Sequence, residues 1–248
     1  PALRAVENLP ELRKLMEALA LRSGSLLNQS ELARDLGISQ PTVHRYLNLL
    51  EVSFLLVRLR GYARSRTKRL VKSPKVYLPD PALALYLAGG SPSGAHLETL
   101  VLLDLLAFRD AQKNPPGLYY WRTASGQEVD FVLEVGEKLL PVEVKATSRP
   151  TPKDAQGLLA FLAEYPEVPG GLLLHGGEEV FPLVDRVVAA PWWAVAGGGF
   201  PPRSIPNLHV RGCWAKQKVK SRFLWVSLNP DRHMAKMQEE SAPQSQVC

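Results

Sequence analysis

From Gly126 to Ala146 the chain alternates apolar and polar residues with period two, G-Q-E-V-D-F-V-L-E-V-G-E-K-L-L-P-V-E-V-K-A. That period predicts two strands with side chains pointing to alternate faces. Gly136–Glu137 carries the only turn signal between them, so a two-residue reversal pairs Val135 with Lys138. In this register Asp130 lies opposite Glu143, and Glu128 lies opposite Lys145. Directly opposed side chains have Cβ atoms about 5 Å apart, and like charges there repel. Glu128 and Lys145 neutralise each other. Asp130 and Glu143 call for a cation between them, and two carboxylates suit Mg²⁺ or Mn²⁺.

Upstream the period changes to that of helices. Leu12, Leu15, Met16 and Leu19 predict a helix over Leu9–Leu21. Ser30 is the expected cap of a short helix, Glu31–Leu36, which Gly37 ends; Ile38 then turns into the core. Ser39 caps the next helix, with Pro41 in its first turn. Val43, Leu47 and Leu50 face inward there, and Gln40, Thr42, His44 and Arg45 face outward. Phe54–Gly61 and Leu70–Leu78 read as strands of a wing. Arg58 and Arg60 share one strand face, and Arg64, Arg66, Lys68, Arg69, Lys72 and Lys75 crowd the connection. Downstream, Leu97, Val101, Leu105 and Phe108 predict a helix over Ala95–Asp110 after a Gly/Ser/Pro loop. Leu118–Arg122 is a strand, Asp154–Tyr165 a helix, and Gly171–Leu174 a short buried strand. The helix between them makes a crossover, so the last strand pairs parallel to the Glu143 strand.

Charge divides the chain where the pattern does. Residues 1–80 carry 14 Lys+Arg against 7 Asp+Glu, residues 81–196 carry 8 against 14, and residues 197–248 carry 8 against 3. A basic front beside an acidic middle predicts two modules with different work, 1–80 and 81–196, followed by a basic, polar tail expected to be disordered. A hydrophobic content of 46% permits a real core. The richest apolar run, Leu97–Phe108, is broken by Glu98 and Asp104 and is too short to span a bilayer. Only two cysteines occur, which makes a reducing cytoplasm the expected compartment. The five histidines have no zinc-site spacing, and the phosphate-cradling pattern G-x-x-x-x-G-K-[ST] is absent, so no nucleotide site is expected. The chain opens on Pro1 rather than Met, as a piece of something longer would.

The string A-R-D-L-G-I-S-Q-P-T-V-H-R-Y-L resembles the helix-turn-helix of bacterial winged-helix proteins. This resemblance implies duplex DNA binding, with Gln40, Thr42, His44 and Arg45 in the major groove. The cations from Arg58 to Lys75 would meet phosphates. The order helix, three strands, helix, strand resembles the PD-(D/E)XK, or restriction-endonuclease-like, superfamily. That resemblance implies an α/β core of αβββαβ order and metal-assisted phosphodiester hydrolysis. It assigns Glu98, Asp130, Glu143 and Lys145 to the catalytic set, with Gln156 where RecB-like members carry a glutamine. Asp130 and Glu143 would hold the metal, Lys145 would orient the attacking water or stabilise the developing negative charge, and Glu98 would reach a ligand or a second metal through water.

Together, L-L-N-Q-S-E-L-A-R-D-L-G-I-S-Q-P-T-V, V-K-S-P-K-V-Y-L-P-D, G-Q-E-V-D-F-V-L-E and L-P-V-E-V-K-A resemble the C-terminal half of prokaryotic AAA+ ATPase-like proteins, whose rear domain is domain-of-unknown-function family 4143. An ATPase domain or subunit is therefore an expected partner. The residues leave two functions open. One is a DNA-binding, Mg²⁺-dependent nuclease or nuclease-derived core. The other is a non-catalytic module that docks on an ATPase or another protein. Transcriptional repression by a homodimer is a third, but the sequence offers no dimer surface for it.

Overall fold

In the computed structural model residues 8–194 are described, so the expected tail, 197–248, lies outside the described residues. The front half runs α1 (Leu9–Leu21), β1 (Ser25–Leu26), α2 (Gln29–Leu36), α3 (Gln40–Val52), β2 (Val57–Leu59), α4 (Arg66–Val71), β3 (Lys75–Tyr77) and α5 (Pro81–Ala88). Its three strands form a small antiparallel sheet in the order β1-β3-β2. Side-chain caps fix the helix starts. Asn28, rather than the expected Ser30, accepts the Glu31 N–H and starts α2, while Ser39 accepts the Thr42 N–H and starts α3. Gly37 closes α2 in the left-handed region at φ 65°, which suits a residue without Cβ. Leu15, Leu19, Leu32, Val43, Tyr46, Leu47 and Leu50 fill the core between these helices.

Two expectations for this half fail. The connection expected to be an open wing contains α4, and the predicted strands shrink to three residues each. Phe54, expected to open a strand, instead sits at φ 58°, a conformation that ends α3 and cannot continue a strand. The expected division after residue 80 also moves. Ala84, Leu87 and Ala88 of α5 pack in the front core, so the packing boundary falls in the loop before α6.

The second half runs α6 (Gly94–Asp110), β4 (Gly117–Arg122), β5 (Glu128–Val135), β6 (Lys138–Lys145), α7 (Gln156–Glu164), β7 (Gly171–His175), β8 (Phe181–Val184) and β9 (Val187–Pro191). A 3₁₀ turn, Pro152–Ala155, leads into α7. One six-stranded sheet has the order β4-β5-β6-β7-β9-β8. The β5–β6 hairpin has the expected register, from Val135–Lys138 to Phe131–Val142. β7 pairs parallel with β6, the crossover expected of α7. The β8–β9 hairpin, which the pattern did not predict, extends the sheet beyond β7.

The sheet buries both faces. α6 packs on one through Val101, Leu102 and Leu105, and α7 on the other through Leu158, Phe161 and Leu162. The two halves share this core. Leu59 and Tyr77 of the small sheet join the α6-side cluster, and Tyr62 joins the α7-side cluster. Backbone bonds cross as well, from Tyr120 N–H to the Arg60 carbonyl (3.0 Å) and from Tyr62 N–H to the Tyr120 carbonyl. The fold is thus mixed α/β with two sheets. No helix among the described residues is long and apolar enough to cross a membrane.

Candidate functional site

The site begins with an irregularity in β5. Tyr119 pairs with Val132 and Trp121 with Val129, so three steps on β5 face two on β4. The extra residue is a bulge, which re-aims side chains locally. Val129 and Val132 both pack on the α7 side. Asp130, between them, sends Oδ2 to the Val144 N–H (2.9 Å) and Oδ1 toward Lys75 Nζ (3.4 Å). The ladder therefore ends at Phe131–Val142, and Asp130 bonds β6 through its side chain instead of sitting as a ladder partner of Glu143.

Glu143 lies one residue beyond that ladder, on β6. Its Oε1 accepts from Lys145 Nζ at 2.6 Å, and its Oε2 is buried without a hydrogen-bond partner. The carboxylate is 8% exposed. Burial, reinforced by the negative charge of Asp130, pushes it up to about 8. The Lys145 ammonium is pulled down by burial but held above its ordinary value by Glu143. At 36%, Lys145 is the most exposed member of this trio and marks its side open to solvent. The start of α7 closes the opposite side. A Cβ on Gly157 would fall on the Glu128 carbonyl oxygen and lie 3.6 Å from Glu143 Oε2.

A lysine from the front half completes the cluster. Lys75 on β3 is 2% exposed, and its Nζ meets Glu98 Oε1 (3.2 Å), Asp130 Oδ1 (3.4 Å) and Glu128 Oε1. Its Nζ lies 5.9 Å from the centre of the Tyr120 ring. Burial alone lowers the Lys75 pKa; Asp130, Glu98 and Glu128 outweigh it and leave it above the ordinary value. Tyr77, two residues along the same strand, donates its hydroxyl to Glu98 Oε1 at 2.6 Å. Burial and then Asp130 push Glu98 up to about 7, against the pull of Lys75 and Tyr77. The turn after α1 approaches the same carboxylate, since a Cβ on Gly24 would lie 3.3 Å from Glu98 Oε2.

Several expected roles change. Glu128 pairs with Lys75 and with Arg122 (3.0 Å), not with Lys145: the β5–β6 ladder stops at Phe131–Val142, and Lys145 pairs with Glu143. Lys75 faces the acidic cluster rather than phosphates. Arg69 is also internal: its guanidinium binds Glu134 through both terminal nitrogens (2.6 and 2.7 Å) and stacks 4.4 Å from the Tyr62 ring centre. Lys72 donates to the Tyr62 and Arg122 carbonyls. Arg58 pairs with Glu51 and Asn48, and Arg64 with Glu167. These contacts dock the supposed wing on the core. Gln40, His44, Arg60, Arg66 and Lys68 remain exposed. His44 is also braced by Gln29 and Asn48. The Thr42 hydroxyl bonds Ser39, and Arg45 lies 5.4 Å over the Tyr46 ring. Gln156 opens α7 but is exposed, so the structure does not bring it into the cluster.

The sequence reading missed the inward role of Lys75 and Tyr77. The available signal was their i,i+2 spacing in K-V-Y, which puts both on one face of a strand between apolar neighbours.

The residues fit a divalent ion on a specific ground. Glu143 Oε2 is a buried acceptor with nothing to accept from, and Asp130 adds negative charge beside it. No three His, Cys, Asp or Glu side chains among the described residues are arranged as a metal cage. The fit therefore rests on two carboxylates with water or substrate oxygens, a pattern that Mg²⁺ accepts.

Residues 93–195 match the family described as domain of unknown function DUF4143, and residues 1–94 match the one described as DUF8612. The two matches meet in the loop that the packing marks as the boundary. Among curated relatives are the uncharacterized protein Rv2008c of Mycobacterium tuberculosis and the uncharacterized protein Mb2031c of Mycobacterium bovis. Each is 33% identical over 189 residues, which cover 73% of this chain and 41% of the relative. The chain thus spans about two-fifths of the length of the relatives it matches. No solved structure matches.

Proposed function

We propose that this chain is a duplex-DNA-binding protein whose second half is a nuclease-type core of restriction-endonuclease-like architecture. Asp130 and Glu143 would hold one Mg²⁺ or Mn²⁺ for phosphodiester hydrolysis. The observation that carries this reading is the convergence of Asp130, Glu143 and Lys145 at the bulge, with one buried carboxylate oxygen left unpartnered. When bound, the ion supplies Lewis-acid polarisation and an acidified water. Glu143 would hold it through the unpartnered Oε2, with the Asp130 carboxylate beside it. Lys145, fixed on Glu143 Oε1 at the solvent side, is placed to orient a water and to neutralise charge on a phosphate oxygen. The front half, read as a winged helix, presents Gln40 and His44 on α3, and Arg66 and Lys68 on α4 add backbone contacts.

Plasmid nicking with Mg²⁺ or Mn²⁺ tests the reading, together with calorimetric titration of Mn²⁺. Wild type should nick and bind the ion. Asp130→Asn should lose both while keeping duplex affinity. No nicking and no Mn²⁺ binding by wild type would remove the enzymatic half.

One observation favours a second reading, a non-catalytic module docked on an ATPase domain or subunit. At the end of α3, Phe54 is 87% exposed at a positive φ and is flanked by exposed Val52 (69%) and Leu55 (40%). An apolar knuckle in a strained conformation is the kind of surface that a protein partner covers. DNA affinity that barely changes with salt, together with loss of partner binding in Phe54→Ser, would favour this reading over the first.

A further inference from the structure

We propose that the acidic centre is built for one divalent ion, because the Lys75 ammonium permanently fills a second cation place between Glu98, Glu128 and Asp130. The inference rests on the reading of Asp130 and Glu143 as ion ligands and goes beyond it by fixing the number of ions.

Charge and geometry agree on this count. Four carboxylates, Glu98, Glu128, Asp130 and Glu143, face three cationic side chains, Lys75, Lys145 and Arg122. With all four acids ionised, the state in which carboxylates ligate a cation, one negative charge is left over. Among the described residues, the buried side-chain oxygen without a hydrogen-bond partner is Glu143 Oε2. A single divalent ion there reverses the imbalance by one charge, whereas a second would leave a large excess of positive charge in a buried place.

The other place is already occupied. Lys75 Nζ makes three contacts to carboxylate oxygens, as many as an ammonium has protons to donate. Tyr77 also donates to the Glu98 oxygen that faces Lys75. A metal at that position would have to displace an ammonium that is 2% exposed and anchored on the middle strand of the small sheet. The role of Lys75 is thus to position Glu98 and Asp130 and to exclude a second ion. It is the front half that supplies this cation.

The test is Mn²⁺ stoichiometry on the full chain, read by calorimetry and by electron paramagnetic resonance, for wild type and Lys75→Met. Methionine keeps most of the volume and removes the charge. Wild type should bind one Mn²⁺ per chain and give an uncoupled spectrum at every loading. Lys75→Met should bind two, with a spin-coupled signal. Two ions in wild type, or one in both proteins, would overturn the inference while leaving the Asp130–Glu143 site standing. Binding only in Lys75→Met would overturn the claim of a native one-ion centre and remove ion-dependent function from the native chain. Absence of binding in both would overturn both. If Lys75→Met does not fold, the wild-type stoichiometry and spectrum still decide, since a coupled pair refutes the claim.

Discussion

Gly157→Ala is the sharpest single perturbation available, because it adds one carbon where backbone meets backbone. The added Cβ would fall on the Glu128 carbonyl oxygen, so the start of α7 must move away from β5. The helix cannot move freely, since Leu158, Phe161 and Leu162 behind Gly157 are fully packed against Val129, Val132 and Leu173. Overpacking of this kind costs about 1–3 kcal/mol. Alanine returns at most about 1 kcal/mol through helix propensity, and less in a first turn. The net loss should be about 1–2 kcal/mol, or roughly 2–8 °C in Tm for a chain of this size. Thermal and urea unfolding of the two proteins measure it, with Gly90→Ala as a control, because a Cβ there meets nothing within 4 Å. The movement should also weaken Mn²⁺ binding, since the same Cβ lies 3.6 Å from Glu143 Oε2. A Gly157→Ala protein as stable as wild type would refute the close approach of α7 on which the closed side of the site depends.

Three further outcomes follow from named contacts. Arg69→Ala should cost about 1–3 kcal/mol in urea unfolding, because it removes a paired, stacked guanidinium and leaves Glu134 without its partner. Arg66→Ala and Lys68→Ala should leave Tm unchanged, and each should reduce the salt dependence of duplex binding by about one ion; an unaltered salt slope would deny these residues phosphate contact. His175 is buried, donates its Nε2–H to the Glu179 carbonyl, accepts from the Gly177 N–H at Nδ1, and is held below its ordinary pKa by burial. The unfolded chain therefore takes up a proton that the native imidazole refuses once pH falls below about 6.5, and stability drops toward acid in that window. His175→Gln should show a smaller drop between pH 7.5 and 5.5 than wild type, and an equal drop would place the acid sensitivity elsewhere.

Most elements were legible because their signals are local. Leu9–Leu21 has its apolar stripe, Ser39 and Pro41 mark the start of α3, and Gly136 marks the hairpin. The register of β5 and β6 followed from the turn alone as far as Phe131–Val142. Beyond that pair the ladder stops and Asp130 reaches the Val144 N–H through its side chain; the bulge in the adjacent β4–β5 pairing is set by the neighbouring strand, and nothing within G-Q-E-V-D-F announces it. The wing failed for a related reason. A run of arginines and lysines reads as solvated, but Glu134, Glu167 and the acidic cluster lie on a distant part of the chain. Their charges draw Arg69 and Lys75 inward and pair with Arg64 at the surface. Local pattern cannot show which cations have a buried anion waiting for them.

The same contacts argue that the two halves work as one body. A linker between independent domains crosses few contacts. Here Leu59 and Tyr77 share a core with Val101, Phe131 and Val142, and Arg60 and Tyr62 share backbone bonds with Tyr120. Separating the halves would expose that apolar surface and also strip Glu98, Glu128 and Asp130 of Lys75, leaving buried acids without their cation. The second cost acts on the centre itself, so the core expressed from residue 93 onward should lose more than stability. Its acids should bind a divalent ion differently from those of the full chain. The basic front is in this sense part of the acidic site: β3 carries the charge that three of its four carboxylates share inside a folded protein.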